Sequence, residues 1–182
     1  MFRGLIQKYR YSKLLKEFQH VGIGCELGDL NRFHHREKIY IGDYVYFGGE
    51  AYISAVGGLQ IGEGTIFGPR VTIHTSNHRY EDAVSIPYDN HTYLEPVKVG
   101  KGCWIGDGVM ICPGVTIGDG CVIGMGSVVS KDIPPYSIAV GNPARVVKTR
   151  DVTLYKKLEK EGKVYLKLKY QDNLSPIFHS IK

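Results

Sequence analysis

From residue 99 onward the chain repeats itself every six residues: Val99, Ile105, Ile111, Ile117, Ile123 and Val129 are all apolar. The same unit occurs earlier as Ile41, Phe47, Ile53 and as Ile61, Phe67, Ile73. In these twelve hexapeptides the second residue is Gly, Ser or Cys in every case but one, His74. The fifth residue is mostly small or β-branched, as at Val45, Ala51, Thr65, Val71, Cys103, Val109, Val115, Cys121 and Ser127. A period of six does not fit an amphipathic helix, whose apolar stripe recurs at 3.6. It fits a very short strand followed by a tight corner. Three units make a triangular coil, and stacked coils bury the first-position residues in a central column. Each fully buried aliphatic side chain there contributes about 1.5–3 kcal/mol. Each coil leans only on its neighbours, as in any solenoid.

Two interruptions occur. The step from Ile53 to Ile61 is eight residues, absorbed around Gly57 and Gly58. The step from Ile73 to Val99 is 26 residues and contains a segment, 79–96, that fits no hexapeptide. A long loop protruding from a compact solenoid is a place to look for function.

The repeat divides the chain into three parts: an N-terminal helical appendage (1–20), the solenoid (21–147) and a basic C-terminal appendage (148–182). Of 23 glycines, 21 lie in the solenoid. The formal charge of +5 resolves into +4 for residues 1–20, −4 for the solenoid and +5 for residues 148–182. The basic balance therefore belongs to the ends, which argues against nucleic acid as a partner and leaves weak contact with an anionic membrane surface open to them. Phe2, Leu5, Ile6, Tyr9 and then Tyr11, Leu14, Leu15, Phe18 show helical spacing in two short segments. Leu154 and Leu158 fit one or two helical turns before Gly162, and the alternation across Lys163–Tyr170 predicts a strand with a lysine-rich face.

No apolar run approaches a membrane span, and the N-terminus lacks the apolar stretch of a signal peptide, so a cytoplasmic setting is expected. The cysteines, Cys25, Cys103, Cys112 and Cys121, lack zinc or thioredoxin spacing. Reduced thiols in tight packing are the expectation.

One hexapeptide breaks the pattern twice. In Ile73-His74-Thr75-Ser76-Asn77-His78 the second residue is His and the fifth is Asn, and His78 stands at the loop junction. Local rules tend to break at functional sites. A histidine there is suited to general-base work on a hydroxyl. His34 and His35, beside Arg32 and Arg36, read as a solvated polar stretch.

The repeats, Asn77-His78-Arg79, Cys103-Trp104-Ile105-Gly106, and Ser130-Lys131-Asp132-Ile133-Pro134-Pro135 followed by Gly141-Asn142-Pro143-Ala144-Arg145 resemble the hexapeptide-repeat acyltransferases. The similarity is greatest to the maltose and galactoside O-acetyltransferases, the streptogramin acetyltransferases and the capsule or lipopolysaccharide O-acetyltransferases. The resemblance implies a left-handed parallel β-helix, a homotrimer with active sites between subunits, and acetyl-CoA as donor with no metal required. It assigns the general base to His78 and the aromatic beside it to Trp104; Asn77 is the substrate-side neighbour, and Glu50 lies near Gly48 and Val56, where the maltose and galactoside branch carries polar acceptor residues. It places Gly106 and Asp107 along the thioester end of CoA, and Met125, Ser130, Lys131 and Arg145 along its pantetheine and phosphates.

The implied reaction is direct attack of an acceptor hydroxyl on the thioester, with a sugar of a cell-surface polysaccharide precursor as acceptor. Alternatives within the class are N-acetylation of an amino sugar, or acetylation of an antibiotic or serine. Outside it stand a γ-type carbonic anhydrase, which needs a third histidine on a neighbouring coil, and a non-enzymatic solenoid.

Overall fold

The computed structural model describes residues 14–172 together with Leu174 and Ile177. It is a parallel β-solenoid of short strands, three to a coil. The first coil carries β1 (His20–Val21), β2 (Glu26–Leu27) and β3 (Arg32–His34), and the second β4 (Ile39–Ile41), β5 (Tyr46–Phe47) and β6 (Tyr52–Ser54). The third carries β7 (Leu59–Ile61), β8 (Ile66–Phe67) and β9 (Thr72–His74), and leads into a hairpin of β10 (Ser76–His78) and β11 (Thr92–Leu94). The fourth is β12 (Val97–Val99), β13 (Trp104–Ile105) and β14 (Met110–Ile111), and the fifth β15 (Thr116–Ile117), β16 (Val122–Ile123) and β17 (Val128–Val129). A partial sixth turn adds a bridge at Ile133 and β18 (Ser137–Val140), against which β19 (Arg145–Thr149) folds back antiparallel.

Corresponding strands stack in register and form three faces. Face A has the order β1-β4-β7-β12-β15, face B β2-β5-β8-β13-β16-β18-β19, and face C β3-β6-β9-β14-β17. All twelve first-position residues are buried, and so are the fifth-position residues Val45, Ala51, Thr65, Val71, Cys103, Val109, Val115, Cys121 and Ser127. On face B the Phe47 and Phe67 rings of the second and third coils stack with centroids 4.2 Å apart, and Phe33 of face C meets Phe47 edge-on. The first coil forms the lower end of the solenoid and the partial sixth turn its upper end.

The small second position follows from the stacking distance. A Cβ on Gly106 would lie 2.6 Å from the backbone nitrogen of Met125 in the next coil. Because the obstacle is backbone, nothing can swing aside.

The first coil extends the repeat below Ile41. Val21, Leu27 and Phe33 are six apart, with Gly22 and Gly28 as small second residues, and an eight-residue step to Ile41 follows. That step is taken up by a 3-10 turn at Arg36–Lys38. The pattern was visible in the sequence but masked by His34, a second-position histidine like His74.

At the C-terminus, α1 (Val152–Lys160) is capped by Asp151, whose carboxylate accepts from the amide of Leu154 at 2.9 Å. It contains the expected Leu154 and Leu158. Gly162 ends it with a left-handed backbone, φ 64°. The predicted strand over Lys163–Tyr170 is instead helix α2 (Tyr165–Asp172). Alternation over eight residues is a weak signal in a run of Leu, Lys and Tyr that helices accept readily. Tertiary contacts decide the matter: Leu166 is buried, while Lys169 pairs with Glu26 at 3.1 Å and the Tyr170 hydroxyl donates to the same carboxylate.

The two helices run back down the solenoid. Tyr155 of α1 covers Gly102 and Gly120 and donates to the carbonyl of Lys101 at 3.1 Å. Burial, with Glu159 nearby, pushes its phenol above the ordinary range. Val164 lies against Gly64 of the third coil, and α2 reaches the first. The predicted helical spacing over residues 1–13 lies outside the described residues. Phe18 is buried and packs edge-on against Phe33, 5.3 Å between centroids.

Candidate active site

The hairpin leaves the solenoid between the third and fourth coils, at the end of face C. Its strands pair Ser76 with Leu94, Asn77 with Tyr93 and His78 with Thr92. The inner wall of the hairpin and the outer surface of face C enclose a cleft of about 640 Å³. Ser54, Thr72 and His74 line its lower half, Met110, Cys112, Pro113 and Val128 its upper half, and Asn77, His78 and Thr92 the hairpin side. The floor is therefore polar below the level of His78 and mostly apolar above it.

His78 is held from two directions. Its amide donates to the Asn77 side chain at 2.9 Å. Its imidazole lies against the ring of Tyr88, which comes from the long loop joining the two hairpin strands.

That loop is organised around Asp89. The Asp89 carboxylate accepts from Arg79 Nε at 2.8 Å, from the second guanidinium arm, from the amides of Val84 (3.2 Å) and His91 (2.9 Å), and contacts His91 Nδ1 at 3.1 Å. Its side chain is 1% exposed. The Arg79 guanidinium holds the carboxyl well below the usual carboxylate range. A buried charge is tolerable here because it is paired and every oxygen is hydrogen-bonded. Sequence reading missed Asp89, Arg79 and Tyr88 as site supports. Only the Asp and Arg within one irregular segment could have hinted at them.

The other predicted residues fall into groups. Gly106, Asp107 and Met125 lie together on the corner between faces B and C, where successive coils stack. The Gly106 amide is already committed to the Ile123 carbonyl at 2.8 Å. Asp107 is ion-paired with Arg70 of the coil below. Met125 is 76% exposed. Glu50 occupies the same corner two coils below Asp107, exposed and outside the cleft, in a left-handed backbone at φ 63°.

Ser130 and Lys131 follow β17 at the opposite edge of face C and are exposed. Above β17 the chain returns over face C: Val128 donates to the Gly141 carbonyl, and the Ala144 amide donates to Val128 at 2.8 Å. Arg145, adjacent to Ala144, opens β19 and pairs with Val140 at the top of face B. Trp104 stands apart, on face B, paired with Ile66 and Val122 and largely exposed. Within one chain it does not join His78.

The cysteines divide as well. Cys103 and Cys121 are buried, their thiols donating to the carbonyls of Gly118 (3.2 Å) and Pro134 (3.1 Å). Hydrogen bonding with Cys121 and burial push the Cys103 thiol up. Cys112 is half-buried and faces the cleft.

Comparison with known proteins agrees with this geometry. Residues 96–131 match the family model "Bacterial transferase hexapeptide (six repeats)". The chain is 41% identical over 136 residues to nodulation protein L of Rhizobium leguminosarum bv. viciae, covering 73% of this chain and 69% of that protein. It superimposes on a maltose O-acetyltransferase from Clostridium difficile 630 with TM-score 0.73 and 37% identity, covering 79% and 76% of the two chains. It also superimposes on a galactoside acetyltransferase in complex with coenzyme A, with TM-score 0.68 and 33% identity, over 78% and 70%. The match spans only 45% of a probable acetyltransferase of Mycobacterium tuberculosis and 58% of nodulation protein L of Rhizobium meliloti. Repeat, coil geometry and similarity over most of two solved structures agree, and the chain belongs to the family of hexapeptide-repeat acyltransferases.

Proposed function

We propose that this chain is an acetyl-CoA-dependent O-acetyltransferase, with His78 as general base and a saccharide hydroxyl as acceptor. The observation that carries the reading is the division of the cleft. His78 stands at the level where an apolar upper floor (Met110, Cys112, Val128) meets a polar lower floor (Ser54, Thr72, His74). The upper half suits an extended thioester arm. Lys131 and Arg145, on the turns above that half, are the cations proposed to meet the CoA phosphates. The lower half offers hydroxyl and imidazole groups suited to hydrogen-bonding a sugar.

In the reaction, the His78 imidazole takes the proton of the acceptor hydroxyl as its oxygen attacks the thioester carbonyl. The tetrahedral intermediate collapses with cleavage of the carbon–sulfur bond. The imidazolium returns its proton to the departing thiolate. No covalent enzyme intermediate forms, so none of the cysteines is required.

The proposal includes a homotrimer with active sites between subunits. Trp104, exposed on face B and remote from its own His78, supports it, because only a neighbouring subunit can bring that ring to a cleft on face C. The acceptor class proposed is a precursor of a cell-surface polysaccharide. The test is thiol release from acetyl-CoA in the presence of methyl glycosides, followed by mass analysis of the product. An acetyl ester on the sugar is the expected result, and hydrolysis of acetyl-CoA without sugar modification overturns the reading.

A further inference from the structure

The cleft does not end at Thr72. Outward-facing residues of face C form two columns along the solenoid. Strand register aligns Arg32 with Tyr52, Tyr52 with Thr72, Thr72 with Met110 and Met110 with Val128. The second column aligns His34 with Ser54 and Ser54 with His74. Thr72, Ser54 and His74 already line the reaction cleft. Directly below them the same columns continue as Tyr52, then Arg32 and His34.

This lower extension is a built surface. The His34 ring lies 5.3 Å from that of Tyr52, and Tyr52 lies 5.6 Å from His74, so three rings run in series toward His78. All three are exposed, as is Arg32. Arg32 has no carboxylate partner among the described residues, although the neighbouring Arg36 is paired with Glu17 and Arg70 with Asp107. His35, in contrast, turns off the face into the 3-10 segment, where it contacts Glu37. The polar stretch at residues 32–36 is thus split by the fold: Arg32 and His34 belong to the face, His35 and Arg36 do not. Adjacent strands lie about 4.8 Å apart, so Arg32 stands roughly 10 Å below Thr72.

Resting on the transferase reading above, we infer that Arg32, His34 and Tyr52 form an acceptor subsite for a saccharide that carries an anionic group. The saccharide lies along face C with one ring over Tyr52. Its reacting hydroxyl reaches His78, and its carboxylate or phosphate meets the guanidinium of Arg32. Planar guanidinium recognises either anion through paired hydrogen bonds. Arg32 is a specificity-determining residue and takes no part in proton transfer.

The experiment compares kcat/KM for paired acceptors: methyl glycosides of neutral hexoses, the matching methyl glycosides of uronic acids, and the hexose 1-phosphates. Wild-type enzyme is expected to prefer an anionic member of each pair. Preference for the uronic acid identifies a carboxylate source, and preference for the phosphate identifies a phosphate source. Arg32→Gln is expected to shrink the anionic-to-neutral ratio by about tenfold or more, as loss of a charge-assisted contact does, with KM for acetyl-CoA unchanged. Lys98→Gln, on face A, serves as control and leaves the ratio as it is. Equal use of neutral and anionic acceptors, or a ratio untouched by Arg32→Gln, overturns the subsite while leaving the transferase intact. Absence of transfer to every acceptor overturns both.

Discussion

The imidazole of His78 and the phenol ring of Tyr88 lie face to face, with centroids 4.0 Å apart and planes inclined by 10°. The contact fixes the plane of the proposed base by packing. A residue ten positions away in the loop thus determines how His78 presents its nitrogens. Tyr88→Phe keeps the ring and is expected to retain most activity. Tyr88→Ala is expected to lower kcat about tenfold or more, since small misplacements of a catalytic group are costly, with little change in KM for acetyl-CoA. Equal kcat in the two variants would remove Tyr88 from the positioning of His78.

His78 itself is the direct test of the mechanism. His78→Ala is expected to lower turnover by at least about 100-fold. Because His78 stands at the border of the donor half, CoA binding measured by calorimetry should persist. Undiminished turnover would assign the base elsewhere.

Asp89 makes the loop sensitive to acid. Its carboxyl titrates below the ordinary range in the folded protein because Arg79 stabilises the anion. A depressed pKa contributes stability that is fully present above the unfolded value, about 4, and that is lost as pH falls from there through the folded value. Thermal unfolding between pH 7 and pH 3 should show wild type ahead of Asp89→Asn at neutral pH, with the gap closing below about pH 4. A gap that stays constant across this range would rule out the linkage.

Cys112 faces the cleft from its apolar half, whereas Cys103 and Cys121 are sealed in the core. Iodoacetamide is therefore expected to modify Cys112 ahead of those two and to slow transfer. Prior saturation with CoA should protect it. Peptide mapping that shows unprotected labelling at Cys112 would mean that the donor does not lie over Met110 and Val128.

Gly106 and Gly108 separate two demands placed on glycine. A Cβ at Gly106 collides with the backbone of the next coil, while Gly108 has open space and only a left-handed backbone, φ 63°. Gly108→Ala should cost about 1–2 kcal/mol for the conformation alone. Gly106→Ala must force coils apart and should cost clearly more. Chemical denaturation of the two variants makes the comparison, and equal losses would contradict it.

The architecture was legible because burial and periodicity coincide: every first-position residue from Ile41 to Val129 points into the core. The cleft was partly legible, since His74 and Asn77 violate the repeat and His78 stands beside them at the loop junction. Its supports were not. Asp89 and Tyr88 sit in a segment with no period, and their role arises from how the loop folds back on Arg79 and His78. Trp104 shows the opposite limit, a motif residue whose place in one chain does not reveal its partner. The eight residues of Lys163–Tyr170 alternated convincingly and still form a helix, because Glu26, 143 positions from Lys169, supplies the anchor.

That anchor alters how the molecule comes apart. A stack of coils with only neighbour contacts can fray from either end, one coil at a time, as a one-dimensional array does. Here the C-terminal helices connect Gly120 of the fifth coil, Gly102 of the fourth, Gly64 of the third and Glu26 of the first. Loosening the first coil strips α2 of its partner, and releasing α1 uncovers corners of the fourth and fifth. The two ends of the array are thereby joined into a ring of contacts, and partial melting gives way to a single cooperative transition.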